Sequence, residues 1–197
     1  MKNFNKHSIA LIGTLAIMAT VPIAFVAIST KVSSSPAVTQ AKADDFFTQG
    51  NEKYEQGDYQ EAVATYAQAI ELNPNFADAY NGRGNAHGDS GDKQGALADY
   101  NEALRINPNF AEAYYNRGVT HAELGDKPSA LADYNEALRI NPNFAQVYHN
   151  RGVTRAELGD NQGAIQDYHK AADLYQQQGK KDNYQDALNR IRELQKK

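Results

Sequence analysis

Sixteen consecutive residues, Ala96 to Ala111, recur without a change from Ala130 to Ala145, an offset of 34. No other feature constrains the fold as much. A unit of that size makes one or two elements, cannot enclose a core alone, and must stack on its neighbours. On the same frame the units are 43–76, 77–110, 111–144 and 145–178. Equivalent positions hold Gly50, Gly84, Gly118 and Gly152; Ala62, Ala96, Ala130 and Ala164; Tyr66, Tyr100, Tyr134 and Tyr168; and Ala69, Ala103, Ala137 and Ala171. Pro74, Pro108 and Pro142 form a fifth column, broken by Gln176 in the last unit.

Local chemistry makes each unit a helix–turn–helix. In the second unit, helix formers in Ala79–Ser90 and Gly95–Ile106 flank Gly91-Asp92. Glycine there can take the left-handed conformation that ends a helix, and aspartate can cap the next one. Gly57-Asp58, Gly125-Asp126 and Gly159-Asp160 repeat the device, and Asp58 with Glu61 has capping-box spacing. Each second helix should close at Asn-Pro, because proline disfavours helical geometry in the residue before it. Small columns let helices approach closely while the tyrosines fill the space between them.

These columns resemble the tetratricopeptide repeat, whose period and Gly, Tyr, Ala, aromatic, Ala and Pro positions they match over residues 43–178. The departures are an aromatic Phe46, Tyr80, Tyr114 or Tyr148 in place of Trp, and Gln49, Arg83, Arg117 or Arg151 in place of Leu. The Asn-Arg-Gly flavour of the units resembles that of bacterial, notably cyanobacterial, secreted repeat proteins. The resemblance implies an all-α, right-handed solenoid of four units.

Arg83, Arg117 and Arg151 are followed sixteen residues later by Asp99, Asp133 and Asp167, whereas unit one has Gln49 and Thr65. Charges that appear and vanish together predict an ion pair, within a unit or between neighbours. After the units, Tyr184, Ala187, Leu188, Ile191 and Leu194 make 179–197 an amphipathic capping helix with a polar back.

Ahead of the repeats, Lys2, Lys6 and His7 precede an uncharged, mostly apolar stretch from Ser8 to Ile28. Residues 1–29 therefore read as a signal peptide or a membrane anchor, and 30–43 as a flexible linker. The basic side stays cytoplasmic, so the repeats should be extracytoplasmic, in a periplasm, a lumen or at a cell surface, secreted or anchored through 8–28.

Without residues 1–43 the chain has 16 Lys and Arg against 24 Asp and Glu, a net −8 that argues against nucleic acid. No cysteine is present, so disulfides, thiolate metal sites and a cysteine nucleophile are excluded. Gly88-Asp89-Ser90-Gly91 looks like a serine-nucleophile segment but aligns with a helix end, Ala122-Glu123-Leu124-Gly125. Five glycines between 82 and 95 lack the strand and the Gly-Lys-Ser/Thr of a phosphate loop and should make unit two the loosest. No metal-ligand spacing exists. Neither an enzyme nor a cofactor is expected.

In the family resembled, the first helix of each unit lines a concave groove. Carried over, that implies a peptide-binding surface of Phe47, Asn51 and Tyr54; Asn81 and Asn85; Tyr115, Asn116 and Val119; and His149, Asn150 and Val153. Asparagine offers donor and acceptor together, which suits a peptide backbone. The column Glu55, Asp89, Glu123 and Glu157 favours a neutral or basic ligand. The family's clamp for acidic tails needs two Lys, an Arg and two Asn. From unit one only Asn51 matches it. From unit two Asn85 and Asn116 match, but Asn81, Gln146 and Asn150 stand where cations belong. The function expected is an exported, monomeric adaptor or assembly factor that binds another protein or peptide. A non-binding spacer at a membrane and a carbohydrate- or cell-wall-binding module are the alternatives.

Overall fold

The computed structural model describes residues 36–196. Within them nine helices and no strand follow one another: α1 (Pro36–Glu55), α2 (Tyr59–Leu72), α3 (Ala77–Asp89), α4 (Lys93–Ile106), α5 (Ala111–Glu123), α6 (Lys127–Ile140), α7 (Ala145–Glu157), α8 (Asn161–Gln177) and α9 (Lys181–Gln195). Each packs on the next, and α1, α3, α5 and α7 also touch in succession along one face. This is an α-solenoid. No helix among the described residues is long and apolar enough to cross a membrane. The expected signal or anchor, and residues 30–35 of the linker, lie outside the described residues.

The turns form as their chemistry requires. Gly57, Gly91, Gly125 and Gly159 all have φ between 82° and 94°. Asp92, Asp126 and Asp160 cap α4, α6 and α8 by accepting from the backbone N–H of Gly95, Ser129 and Gly163. The capping box expected at Asp58 and Glu61 does not form. Asp58 makes no side-chain cap, and Glu61 is held 2.7 Å from Lys53 instead.

The glycine and tyrosine columns are one device. A Cβ at Gly50, Gly84, Gly118 or Gly152 would stand 2.6 to 3.0 Å from the ring of Tyr66, Tyr100, Tyr134 or Tyr168. Each ring therefore lies flat against the backbone of its partner helix and is at most 3 % exposed. Burying each such ring contributes on the order of 2 kcal/mol. Gly82 repeats the device between units, with Tyr66 Cζ 2.8 Å from where its Cβ would sit. Two of the glycines expected to loosen unit two are therefore close-packing sites.

Two proline absences shift the frame. The segment that elsewhere reads Asn-Pro-Asn-Phe is Thr39-Gln40-Ala41-Lys42 before unit one. With nothing to break it, α1 runs back to Pro36, a residue suited to a first helical turn. Residues 36–43, expected as linker, are thus helical, and Gln40 accepts from Asn73 Nδ2 at 2.9 Å. Likewise Gln176 replaces the terminating proline, so α8 has 17 residues where α2, α4 and α6 have 14. Helix α9 then starts 36 residues after α7 instead of 34.

Candidate functional site

The coupled arginines and aspartates meet inside units two, three and four. Arg83 grips Asp99 through Nε (2.9 Å) and Nη2 (2.6 Å). Arg117 grips Asp133 and Arg151 grips Asp167 with the same two-pronged geometry. The three carboxylates are buried, and each guanidinium stacks over the tyrosine three residues earlier. A second bond crosses between units: Arg117 Nη1 reaches Asn101, and Arg151 Nη1 reaches Asn135, both at 2.6 Å. In units three and four the ion pair closes the unit while the same arginine ties its first helix to the second helix of the unit before.

Those first helices form the groove, and a ladder of side chains ties them together. Asn116 Nδ2 donates to Asn81 Oδ1 and Asn150 Nδ2 to Tyr115 Oη, each at 3.1 Å. His149 Nε2 lies 3.5 Å from Asp186 on α9, the same rung one unit further on. Tyr54 donates to Asp89 at 2.5 Å. Asn51 and Asn85 accept from the hydroxyls of Tyr66 (2.7 Å) and Tyr100 (2.8 Å). Burial pushes the Tyr66 phenol up to about 12, so this donor keeps its proton at neutral pH.

Three recesses follow one another along this face. Tyr54, Asn85, Tyr115, Asn116 and Val119 border the first, above the ring of Tyr100. Val119, Asn150 and Val153 border the second, above Tyr134. Val153, Ala156, Arg190 and Leu194 border the third, above Tyr168. Of the residues expected to line the groove, Phe47, Asn51, Asn81 and His149 border none of these recesses. Phe47 packs against Phe76 and Tyr66, with ring centroids 5.0 and 5.9 Å away. His149 is wedged between Tyr168 and Tyr175 with Nδ1 buried and unpartnered, and burial holds its pKa below the ordinary histidine value.

The acid column is not an open negative stripe. Glu123 is paired with Lys93, Glu157 with Lys127 at 3.1 Å, and Asp89 takes the Tyr54 hydroxyl. These lysines start the second helix of the preceding unit, so the pairs clasp successive units across the rim. Among the described residues, only Glu55 of the four makes no ion pair or side-chain hydrogen bond. Sequence reasoning missed three contributors: the tyrosine floor, the lysine clasps, and the α9 residues Arg190 and Leu194. The tyrosine column was visible in the sequence. That Tyr100, Tyr134 and Tyr168 lie beneath the recesses required the helix packing.

Family models agree with this architecture. A TPR repeat model matches residues 50–91, and two tetratricopeptide repeat models match 82–145 and 133–166, together more than half of the chain. The chain belongs to the tetratricopeptide repeat family. No curated protein matches it. Among solved structures it is similar to the MamA protein, with TM-score 0.61 and 20 % identity over 79 % of this chain and 92 % of that one. PilF of Pseudomonas aeruginosa gives 0.65 at 17 % identity, covering 79 % and 78 %. Both likenesses concern the fold. The first TPR of Spaghetti (RPAP3), solved with the HSP90 peptide SRMEEVD, gives 0.60 at 25 % identity, covering 61 % of this chain and 95 % of that one.

Proposed function

We propose that this tetratricopeptide repeat protein is a non-enzymatic adaptor that binds another protein by holding an extended segment in its concave groove. The observation that carries the reading is the row of three recesses, bordered at unit spacing by side chains already locked to one another. Locking before binding removes part of the ordering cost that binding would otherwise incur. Asn116 and Asn150 each donate one side-chain amide N–H to a neighbouring unit, and their side-chain carbonyls, which accept no hydrogen bond among the described residues, can take a ligand backbone N–H. The peptide carried by the Spaghetti domain supports the choice of a peptide segment as ligand. An acidic tail such as that one is not the ligand chemistry expected, because Asn81, Gln146 and Asn150 occupy the places of its cations. The positive head and apolar run of residues 1–28 support a location outside the cytoplasm, with the apolar run as leader or anchor.

The test is a pull-down with the full chain as bait, native and Asn116→Ala/Asn150→Ala side by side, with circular dichroism to confirm that the variant folds. A protein retained by the native bait and lost on the variant is the expected result. Equal recovery on both baits would move the contact off the groove. Protease accessibility of the repeats in intact cells, with the mass of the mature chain, tests the location.

A further inference from the structure

Positions 51, 85, 119 and 153 form one repeat column and hold Asn, Asn, Val and Val. In the first two units the asparagine accepts from the buried tyrosine hydroxyl and makes the floor polar. In the last two, valine methyls stand beside Tyr134 and Tyr168 instead. The apolar groups of the second recess are thus Val119, Ala122 and Val153, beside Asn150 and Thr154, and those of the third are Val153, Ala156 and Leu194, beside Arg190 and Glu193. Glu123 is paired with Lys93 and Glu157 with Lys127, while Arg190 has two carboxylates, Asp186 and Glu193, within 4.0 Å, which leaves one negative charge in excess at the outer edge of the third recess. An anionic ligand would meet no free cation there, and a cation placed between the two recesses would have to break a lysine clasp to reach Glu123 or Glu157.

Resting on the groove reading above, we infer that the ligand is an uncharged segment with apolar side chains three residues apart, one in each of the last two recesses. Packed helices lie about 8–10 Å apart, which sets the spacing between neighbouring recesses. A β-strand puts residues i and i+3 on opposite faces. A polyproline II helix has three residues per turn at about 3.1 Å each, so i and i+3 share a face about 9 Å apart. That conformation matches the groove period, and the column 85, 119, 153 sets which recess takes an apolar group.

The experiment uses the full chain and fluorescein-labelled, end-blocked peptides of Ser, Gln and Pro carrying two leucines at i+2, i+3 or i+4, read by fluorescence anisotropy. The i+3 peptide should bind tightest. Val119→Asn and Val153→Asn, each the residue that units one and two hold in this column, should weaken it roughly tenfold. Asn85→Val should favour a peptide with a third leucine at the same spacing. Affinities that ignore leucine spacing, or a lysine-for-leucine peptide that binds more tightly, while still lost on Asn116→Ala/Asn150→Ala, would overturn the inference and leave the groove reading standing. Affinities untouched by every groove variant would overturn both. Failure of all leucine peptides to bind would overturn the inference, with the pull-down then deciding the groove reading.

Discussion

The junction between units one and two and the two junctions that follow solve the same packing problem with different chemistry. At the first, Gly82 lets α3 settle against the Tyr66 ring, and Tyr54 bonds Asp89 across the face. No arginine brace exists there, because Ala67 stands where Asn101 and Asn135 receive their guanidinium. At the later junctions Asn116 and Asn150 replace that glycine, and the brace and the lysine clasp hold the units instead. Unit one also carries Gln49 and Thr65 in place of the ion pair. The shared Ala, Gly and Tyr columns therefore carry the fold, while the polar positions that vary decide how each junction is held and what faces the groove.

The largest test of that contrast is to give unit three the chemistry of unit one. Asp133→Ala should destabilise the chain by about 3 kcal/mol, because it leaves the Arg117 guanidinium among helices with no counter-charge, held only by the Asn101 hydrogen bond and the Tyr114 ring. Arg117→Gln/Asp133→Thr, the pair found in unit one, should recover more than half of that loss in urea unfolding. If the double variant is as unstable as the single, the ion pair is not an exchangeable unit and the contrast fails.

A smaller effect separates the glycines of α3. Gly82→Ala drives a methyl group into Tyr66 and should cost about 1–3 kcal/mol. Gly88→Ala meets nothing closer than 3.8 Å inside the same helix, so it should gain up to about 1 kcal/mol. Thermal unfolding of the two variants should move in opposite directions. Matching shifts would mean that the close approach at the first junction is not what holds it.

The smallest expected effect compares the last rung with the one before it. Tyr115 and His149 are equivalent, but the His149 imidazole titrates. Its pKa is lowered on folding, chiefly by burial, against the opposing pull of Asp186. The folded chain then binds fewer protons than the unfolded one as pH falls through the ordinary histidine range. This contribution is complete above about pH 7 and is lost as pH falls below the unfolded value of about 6.5. His149→Tyr, copying the rung of unit three, should flatten the change in urea midpoint between about pH 8 and about pH 5. An unchanged pH profile in that variant would assign the titration elsewhere.

Much of this architecture is written along the chain. The exact repeat requires stacking, Gly-Asp pairs mark the turns, and the joint appearance of Arg and Asp reveals an ion pair before any coordinate is known. These features are legible because one period brings equivalent residues into register, so a coupled substitution stands out. The groove was legible only as a set of helix faces. That Asn51 and Asn85 spend their carbonyls on tyrosine hydroxyls, and that Glu123 and Glu157 are clasped by lysines thirty residues upstream, depends on how far one helix sits from the next.

The sequence alone thus settled the unit, the Gly-Asp positions of its turns, its small-residue columns and the coupling of its buried Arg and Asp, since each is a local or strictly periodic property. Packing decided that those pairs close within a unit. Tertiary structure decided which polar groups remain open to a ligand and that α9 completes the last recess. The physical reason is register. Without a proline at 176, α8 gains a turn, α9 enters two residues late, and only packing shows that Arg190 then stands where Thr120 and Thr154 stand in the units before.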